Sequence, residues 1–188
     1  MVSLDGYFEA RDPEDFGWQT VDGEFNEFAV QQLDASDCLL FGRVTYQGMA
    51  SYWPTREAIE SDPEVASRMN QTQKIVISRS LDRPEPEWNN TRLIKKDVHG
   101  ELSRLKQQPG KDLLVLGSSG LTASLIDMGL LDQLRIIVSP ILLSEGRSVL
   151  GTAQHRAKLK LLESQTFRSG NVLLTYEPQG TFACKTAL

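Results

Sequence analysis

The sequence contains few of the residues that disulfide-rich and metal-binding proteins require. It has two cysteines, Cys38 and Cys184, and two histidines, His99 and His155, all far apart along the chain. A disulfide framework needs more cysteines, and metal sites usually place their ligands at short spacings such as CxxC or HExxH. We therefore expect no disulfide framework, no metal site and a reduced, cytoplasmic protein.

Long apolar runs and an excess of positive charge are also missing. No run approaches the ~20 apolar residues that span a bilayer, and no signal-peptide pattern opens the chain. The 20 Lys and Arg residues are outnumbered by 25 Asp and Glu residues, which gives a formal net charge of −5. Because non-specific nucleic-acid binding relies on a basic surface, we expect neither nucleic acid nor a membrane among the partners.

Short apolar runs recur along the 188 residues and predict strands. They are CLLF (38–41), KIVIS (74–78), RLI (92–94), DLLVLG (112–117) and LRIIVSPILL (134–143). Nearly continuous apolar strands are typical of parallel sheets that are covered on both faces. Residues 158–167 and 171–177 alternate instead around a turn, which predicts a C-terminal antiparallel hairpin.

Helical patterns lie between these runs, so the predicted class is α/β with a mixed, mostly parallel sheet. One helix is expected to start at Asp22 or Gly23, and another at Asp62, which Pro63 follows as the first helical residue. No repeat or linker interrupts the pattern. We therefore expect one domain over residues 1–178, and a disordered tail over 179–188, where no pattern remains.

Two strand-to-helix junctions combine small residues with hydrogen-bond donors. They are FGRVTY (41–46) and VLGSSGLTASLI (115–126). Small residues let backbone N–H groups approach an anion, and the dipole of the following helix adds to the attraction. Because ligands of open α/β sheets lie at the carboxyl ends of strands, the two junctions could share one phosphate-bearing ligand. The alternative is that glycine and serine simply form the turns.

A third polar segment follows the predicted strand 74–78. Ser78, Arg79 and Ser80 place two hydroxyl groups beside a guanidinium, which suits a phosphate monoester. An ordinary exposed turn is the alternative. Neither a Walker A loop nor a GxGxxG fingerprint is present.

Several segments in this order resemble the dihydrofolate reductase-like superfamily, in particular the reductase domain of the bifunctional riboflavin-biosynthesis deaminase-reductase. They are SLDGYFE, LLFGRVTYQGMASYWP, KIVISRSL, LLVLGSSGLTASLI, LLDQLRIIVSPILLSEGRSVL and LKLLESQTFRSGNVLLTYEP, and they cover nearly everything except the tail. The resemblance implies a three-layer α/β/α fold with NADPH lying across a central mixed sheet. It also implies a homodimer, with residues 139–150 leading towards the dimer contact and the substrate.

The resemblance assigns cofactor-binding roles to the three polar segments. The phosphates would be held at the first junction, the adenosine ribose and its 2′-phosphate would face the segment after strand 74–78, and the pyrophosphate would lie at the second junction. The implied residues are, in that order, Gly42, Arg43 and Thr45; Ser78 and Arg79; and Gly117, Ser118, Ser119 and Gly120. Many relatives carry paired glycines where this chain has Ser118 and Ser119.

The catalytic residues are less clearly marked. Dihydrofolate reductases place a carboxylate on the first helix, where this chain offers Glu24 and Glu27, which could equally be surface charges. Asp5 matches a motif of the riboflavin-type reductases, although Asp-Gly is also a common turn pair. Arg147 could contact a substrate phosphate or could be a solvated loop charge.

The resemblance implies an NADPH-dependent reductase with 5-amino-6-(5-phosphoribosylamino)uracil reductase-like activity, or one acting on a related pteridine or pyrimidine. The H-x-E and P-C-x-x-C signature of zinc deaminases is absent, so such a reductase would stand alone. Because the match on the first helix is thin, a non-catalytic nucleotide- or heterocycle-binding protein with the same fold is the alternative.

Overall fold

The structure, a computed structural model, describes residues 1–13, 15–151 and 156–182, without the side chains of 181 and 182. The strands are β1 (Val2–Ser3), β2 (Tyr7–Glu9), β3 (Ser36–Gly42), β4 (Gln73–Ile77), β5 (Thr91–Ile94), β6 (Asp112–Val115), β7 (Leu134–Ser139), β8 (Arg147–Ser148), β9 (Arg156–Thr166) and β10 (Val172–Phe182). The helices are α1 (Gly23–Asp34), α2 (Arg43–Tyr52), α3 (Arg56–Ser61), α4 (Pro63–Gln71), α5 (Val98–Lys106) and α6 (Ser119–Asp127).

The chain divides into two compact units. The first comprises Met1–Phe25 and Thr122–Leu188, and the second comprises Asn26–Leu121. The single domain expected over residues 1–178 stays a prediction. Among the described residues, we find no helix with the length and apolar character needed to cross a membrane.

The second unit contains a four-stranded parallel sheet in the order β5-β4-β3-β6. Its strands are the apolar runs that the sequence marks, and β3 is buried along most of its length. One apolar cluster of strand and helix residues forms the core of this unit: Leu33, Leu39, Phe41, Tyr46, Ala50, Val65, Met69, Val76 and Trp88. The carboxyl ends of the four strands therefore emerge side by side from a well-packed core, at one end of the sheet.

The first unit contains a mixed sheet in the order β1-β7-β10-β9, and β2 and β8 form a separate two-stranded ribbon. β1 runs parallel to β7, whereas β10 is antiparallel to both of its neighbours, β7 and β9. The predicted hairpin is therefore present. The α/β class with parallel strands and an antiparallel C-terminal hairpin is confirmed.

Two strand ends differ from the sequence prediction. The run 134–143 ends as a strand at Ser139, because Pro140 has no N–H to donate and the Ile141 N–H bonds back to the Ser139 carbonyl at 2.8 Å. The last strand runs to Phe182, where the sequence indicated 177. The first four residues of the predicted tail thus belong to β10, and the rest of the tail lies outside the described residues.

Helix starts follow the predicted caps where a side chain can supply an acceptor. Asp22 accepts the Phe25 N–H at 2.8 Å, and Asp62 accepts the Val65 N–H at 3.4 Å before Pro63. The six-residue α3 was not predicted, because it buries only Ala58 and so shows no periodic apolar face.

Candidate functional site

The two glycine-containing junctions meet in the second unit. The Gly42 N–H, at the end of β3, donates to Ser118 Oγ at 2.8 Å. The Ser118 N–H, just before α6, donates to Thr45 Oγ1 at 3.2 Å. The parallel register of β3 and β6, which pairs Leu40 with Val115, aligns the two strand ends. The structure thus brings the expected phosphate-binding residues of both junctions together.

Glycine avoids close contacts where these junctions approach each other. A Cβ atom on Gly117 would lie 3.1 Å from Thr45 Cγ2, and φ at this residue is +61°. A Cβ atom on Gly42 would lie 3.2 Å from Ser118 Oγ. Ser118 also has a positive φ, +53°, although it carries a side chain. The close contact is therefore made by two glycines and by one serine in a left-handed conformation.

The hydroxyl groups of Thr45 and Ser118 keep a donor for a ligand. Each oxygen accepts a backbone N–H, and each hydroxyl still carries its own hydrogen. Helix α2 begins beside them with Gly42 as its N-cap, no side chain caps its first turn, and no acidic residue lies in that turn. Backbone N–H groups and the positive end of the helix dipole can thus act on an anion here.

Two arginines near this edge carry charge without a carboxylate partner. The exposed Arg43 donates through Nη1 to the neutral Gln47 Oε1 at 3.0 Å. Arg79 follows β4 and is also exposed. Within the described parts of the chain, neither guanidinium forms an ion pair, so both retain the charge that attracts phosphate.

Ser78 organises a tight polar turn after β4. Its Oγ accepts the N–H groups of Ser80 and Leu81, each at 3.3 Å. Because Ile77 is paired with Gly42 in the register of β3 and β4, Ser78 follows the residue that neighbours the first junction. The turn expected as the alternative is therefore present, and a role of Ser78 towards phosphate stays a prediction.

These features of the second unit fit the phosphates of a dinucleotide. Two glycines let the junctions come into contact, two hydroxyl groups can donate, and two arginines without a described carboxylate partner supply positive charge. Ser119 and Gly120 open helix α6 beside Ser118, at the positions expected to lie against the pyrophosphate. Their contribution stays a prediction.

Asp5, in the first unit, is held by three hydrogen bonds. The Ser3 hydroxyl donates to Oδ1 at 2.6 Å, and the N–H groups of Leu143 and Ser144 donate at 3.2 and 2.8 Å. The Ser3 hydrogen bond, followed by those from the two backbone groups, lowers the pKa of Asp5 although partial desolvation opposes them. Gly6 has a φ of +88° and its N–H bonds to the Ser3 carbonyl at 3.0 Å, which is the Asp-Gly turn expected as the alternative.

The other three expected chemical residues are dispersed. Glu24 accepts the Arg168 N–H at 2.8 Å, whereas Glu27 is exposed on the second turn of α1. Arg147 lies in β8, donates to Glu9 Oε2 at 3.4 Å and stacks over the Phe8 ring at 5.8 Å. No hydrogen bond within the described residues links Asp5, Glu24 or Arg147 to one another, and their chemical roles stay predictions.

The sequence did not mark Lys74 as a special residue, although the structure buries it to 1% exposure in β4. Its ammonium group donates to the carbonyls of Asn70, Thr72 and Asn89 at 3.1, 2.7 and 3.1 Å and lies 4.4 Å from the centre of the Trp88 ring. Burial lowers the pKa of Lys74 to about 8. A lysine in an apolar run gives no sequence signal of such partners, because backbone carbonyls are present at every residue and only the fold decides which of them face the ammonium group.

Known proteins resemble this chain over nearly its whole length. The Bacillus subtilis (strain 168) protein YyaP is 29% identical over 181 residues, covering 95% of this chain and 92% of YyaP. A Shewanella sp. PV-4 protein described as a candidate riboflavin biosynthesis protein has a similar structure, with a TM-score of 0.71, 20% identity and 95% of each chain covered.

Two enzymes of known structure share the fold. One is the diaminohydroxyphosphoribosylaminopyrimidine deaminase/5-amino-6-(5-phosphoribosylamino)uracil reductase of Thermotoga maritima, with a TM-score of 0.64 and 15% identity; the match covers 94% of this chain and 54% of that one. The other is dihydrofolate reductase from Enterococcus faecalis complexed with NADP(H), with a TM-score of 0.55, 12% identity and 95% and 92% coverage. At these identities the likeness shows a dihydrofolate reductase-like fold.

The family model of the RibD C-terminal domain matches residues 1–173. That match covers most of the chain and includes all three polar segments as well as the strands that carry them. The resemblance read from the sequence is therefore confirmed, and the chain belongs to the RibD C-terminal domain family.

Proposed function

We propose that the protein is an NADPH-dependent reductase of the riboflavin-biosynthesis type. Its substrate would be 5-amino-6-(5-phosphoribosylamino)uracil or a related pteridine or pyrimidine. The observation that carries the proposal is the contact between the two junctions at Gly42, Thr45 and Ser118, with Arg43 unpaired beside it. Membership of the RibD C-terminal domain family supports a reductase, and a free, buried Cys38 thiol fits a reduced cytoplasmic setting.

Each part of the cofactor would meet a different group of donors. In this proposal the first-turn N–H groups of α2 and the hydroxyls of Thr45 and Ser118 donate to the pyrophosphate, with Arg43 adding charge. Arg79 holds the 2′-phosphate of the adenosine ribose, because a planar guanidinium can donate twice to one phosphate. When bound, NADPH supplies a hydride to a C=N or carbonyl group of the substrate.

The proton that accompanies the hydride needs a group able to release it. An acid works best when its pKa lies near the working pH, and the hydrogen bonds to Asp5 move its pKa in the opposite direction. Asp5 is therefore better suited, in its ionised form, to hold the loop by accepting the N–H groups of Leu143 and Ser144. Glu24 and Glu27 remain the proposed proton-handling residues.

The same carboxylates favour a second candidate, a nucleotide-binding protein without reductase activity. Asp5 is already occupied by three donors and Glu24 by the Arg168 N–H, while Glu27 is an exposed helix charge. None of them combines a free carboxylate with an enclosed position. A protein that kept the dinucleotide site and lost the chemistry would show this arrangement.

Titration with NADPH and with NADH, followed by tryptophan fluorescence, tests the binding step. A charge-assisted hydrogen bond contributes about 1.5–3 kcal/mol, so Arg43→Ala should weaken NADPH binding roughly 10- to 100-fold. Arg79→Ala should weaken the binding of NADPH to a similar extent and leave the binding of NADH unchanged, because NADH has no 2′-phosphate. Arg56→Ala is the control, since Arg56 is an exposed arginine on α3 that pairs with Glu60.

The outcomes separate the two candidates. The proposed NADPH site would be refuted if the wild type did not bind NADPH at millimolar concentration. It would also be refuted if the wild type and Arg43→Ala bound NADPH equally well. Binding together with oxidation of NADPH by a pteridine or phosphoribosyl-pyrimidine supports the reductase. Binding without oxidation by any of these substrates supports the non-catalytic protein.

A further inference from the structure

Three buried side-chain atoms within the described residues have no hydrogen-bond partner, and all three lie in the first unit. They are Ser139 Oγ, Ser169 Oγ and Asn171 Oδ1. Ser139 ends β7, while Ser169 and Asn171 belong to the turn between β9 and β10. A Cβ atom on Gly170 would lie 3.3 Å from Pro140 Cγ, so this turn packs against the end of β7. Because native proteins pair nearly all buried polar groups with protein atoms or ordered water, three such atoms in one place indicate a bound partner.

The strand register places Ser139 and Asn171 side by side. Val138 of β7 is opposite Val172 of β10, and the two strands are antiparallel. One residue further along, Asn171 comes opposite Ser139, with both side chains on the same face of the sheet. On the other side of β7, Ser139 pairs with Ser3 of β1. Ser3, Ser139 and Asn171 are each only 1% exposed, so a row of buried polar side chains runs from β1 to the start of β10.

The two ends of this row are already tied to other groups. The Ser3 hydroxyl donates its hydrogen to Asp5 Oδ1 at 2.6 Å. The Asn171 amide donates through Nδ2 to the Thr20 carbonyl at 3.0 Å. Exchanging the nitrogen and the oxygen of this amide would bring two oxygens together, so the orientation of Asn171 is fixed. Its oxygen therefore needs a donor from another direction, next to Ser139.

A small bridging molecule fits between Ser139 and Asn171. A direct hydrogen bond would satisfy both side chains, yet the two atoms do not form one. Opposite residues of antiparallel strands have Cβ atoms about 4.5–5.5 Å apart, and two successive hydrogen bonds of about 2.8 Å span up to about 5.6 Å. The bridging molecule must donate to an amide oxygen and can accept from a hydroxyl. Both side chains are neutral, so they offer no charge that would select an ion.

We propose that a buried water molecule bridges Ser139 Oγ and Asn171 Oδ1. It accepts the hydroxyl hydrogen of Ser139 and donates one of its own hydrogens to the amide oxygen. Buried waters typically make about three hydrogen bonds, and the second hydrogen is available for Ser169 Oγ, the third atom without a partner, in the same turn. The water thereby joins the end of β7 to the turn before β10. Through the Asn171 amide it also steadies the Thr20 carbonyl, in the segment that leads into α1.

A crystal structure of the full chain that resolves ordered water tests the site directly. We expect one water oxygen at about 2.5–3.0 Å from both Ser139 Oγ and Asn171 Oδ1. A direct hydrogen bond between the two side chains would overturn the proposal, and so would a site without water.

Urea unfolding of Ser139→Ala tests the site in solution, because the sign of the effect depends on the water. If the hydroxyl donates to a bound water, alanine removes a hydrogen bond and should raise the equilibrium constant for unfolding roughly 2- to 10-fold. If the hydroxyl is buried without a partner, alanine removes the cost of burying it, and the constant should stay the same or fall. An unchanged or lower constant would overturn the proposal.

Ser36→Ala is the matched control. Ser36 is also a buried strand serine, 7% exposed, and its Oγ donates to the Gln32 carbonyl at 2.7 Å. This variant loses one hydrogen bond of known geometry, so its effect on the unfolding constant calibrates the increase expected for Ser139→Ala. None of these measurements involves NADPH, so the water site and the proposed function fail independently.

Discussion

Ser118 provides a quantitative test of how the two junctions are held together. It combines a stabilising contact, the hydrogen bond from the Gly42 N–H at 2.8 Å, with a backbone cost, a φ of +53° in a residue that is not glycine. Ser118→Ala removes the contact and keeps the cost. Ser118→Gly removes both.

The hydrogen bond and the backbone cost have similar magnitudes, so the alanine and glycine variants should differ in their free energy of unfolding. The lost hydrogen bond costs about 1 kcal/mol, and the left-handed conformation of a non-glycine residue costs about 1 kcal/mol. Ser118→Ala should therefore lower the free energy of unfolding by about 1 kcal/mol. Ser118→Gly should stay within about 0.5 kcal/mol of the wild type, because relief of the backbone cost offsets the lost bond.

Urea unfolding followed by circular dichroism measures both differences. Ser119→Gly is the control, because Ser119 has no positive φ and a glycine there should only cost about 0.5–1 kcal/mol. A glycine variant at 118 that is no more stable than the alanine variant would refute the reasoning, since it would mean that the left-handed backbone carries no cost.

Two further predictions concern buried and tethered charges. Lys74→Met should lower the free energy of unfolding by about 3 kcal/mol, since three carbonyl groups lose their donor. Burial lowers the pKa of Lys74 from 10.5 to about 8, so the unfolded chain binds more protons than the folded chain between these two pH values. In this range the free energy of unfolding of the wild type, measured in urea relative to Lys74→Met, should rise with pH. A fall with pH would contradict the lowered pKa of Lys74. Asp5→Asn should destabilise the chain at neutral pH, and the difference from the wild type should shrink as pH falls below 3.8 through the lowered folded pKa of Asp5. A difference that persists at acid pH in the same unfolding assay would show that the charge of Asp5 does not hold the loop.

The local elements could be predicted because their causes are local. The apolar run around Leu39 marks β3, and Asp62 followed by Pro63 marks the start of α4. Helix α3 was missed because its six residues bury a single side chain, and the last strand was predicted short because its final residues do not alternate. Where a strand ends depends on its pairing with a neighbouring strand, and a short window of sequence does not contain that neighbour.

The sequence by itself determined the α/β class, the family and the three polar segments at strand ends. These follow from apolar periodicity and from residue types at fixed spacings, which are properties of the chain alone. Only the tertiary structure decided that Ser118 joins Gly42 to Thr45 and that Asp5 is tied to residues 143 and 144. The physical reason is the same in each case: these hydrogen bonds connect groups more than 70 residues apart, and strand register, which sets their distance, is settled by the packing of the whole sheet.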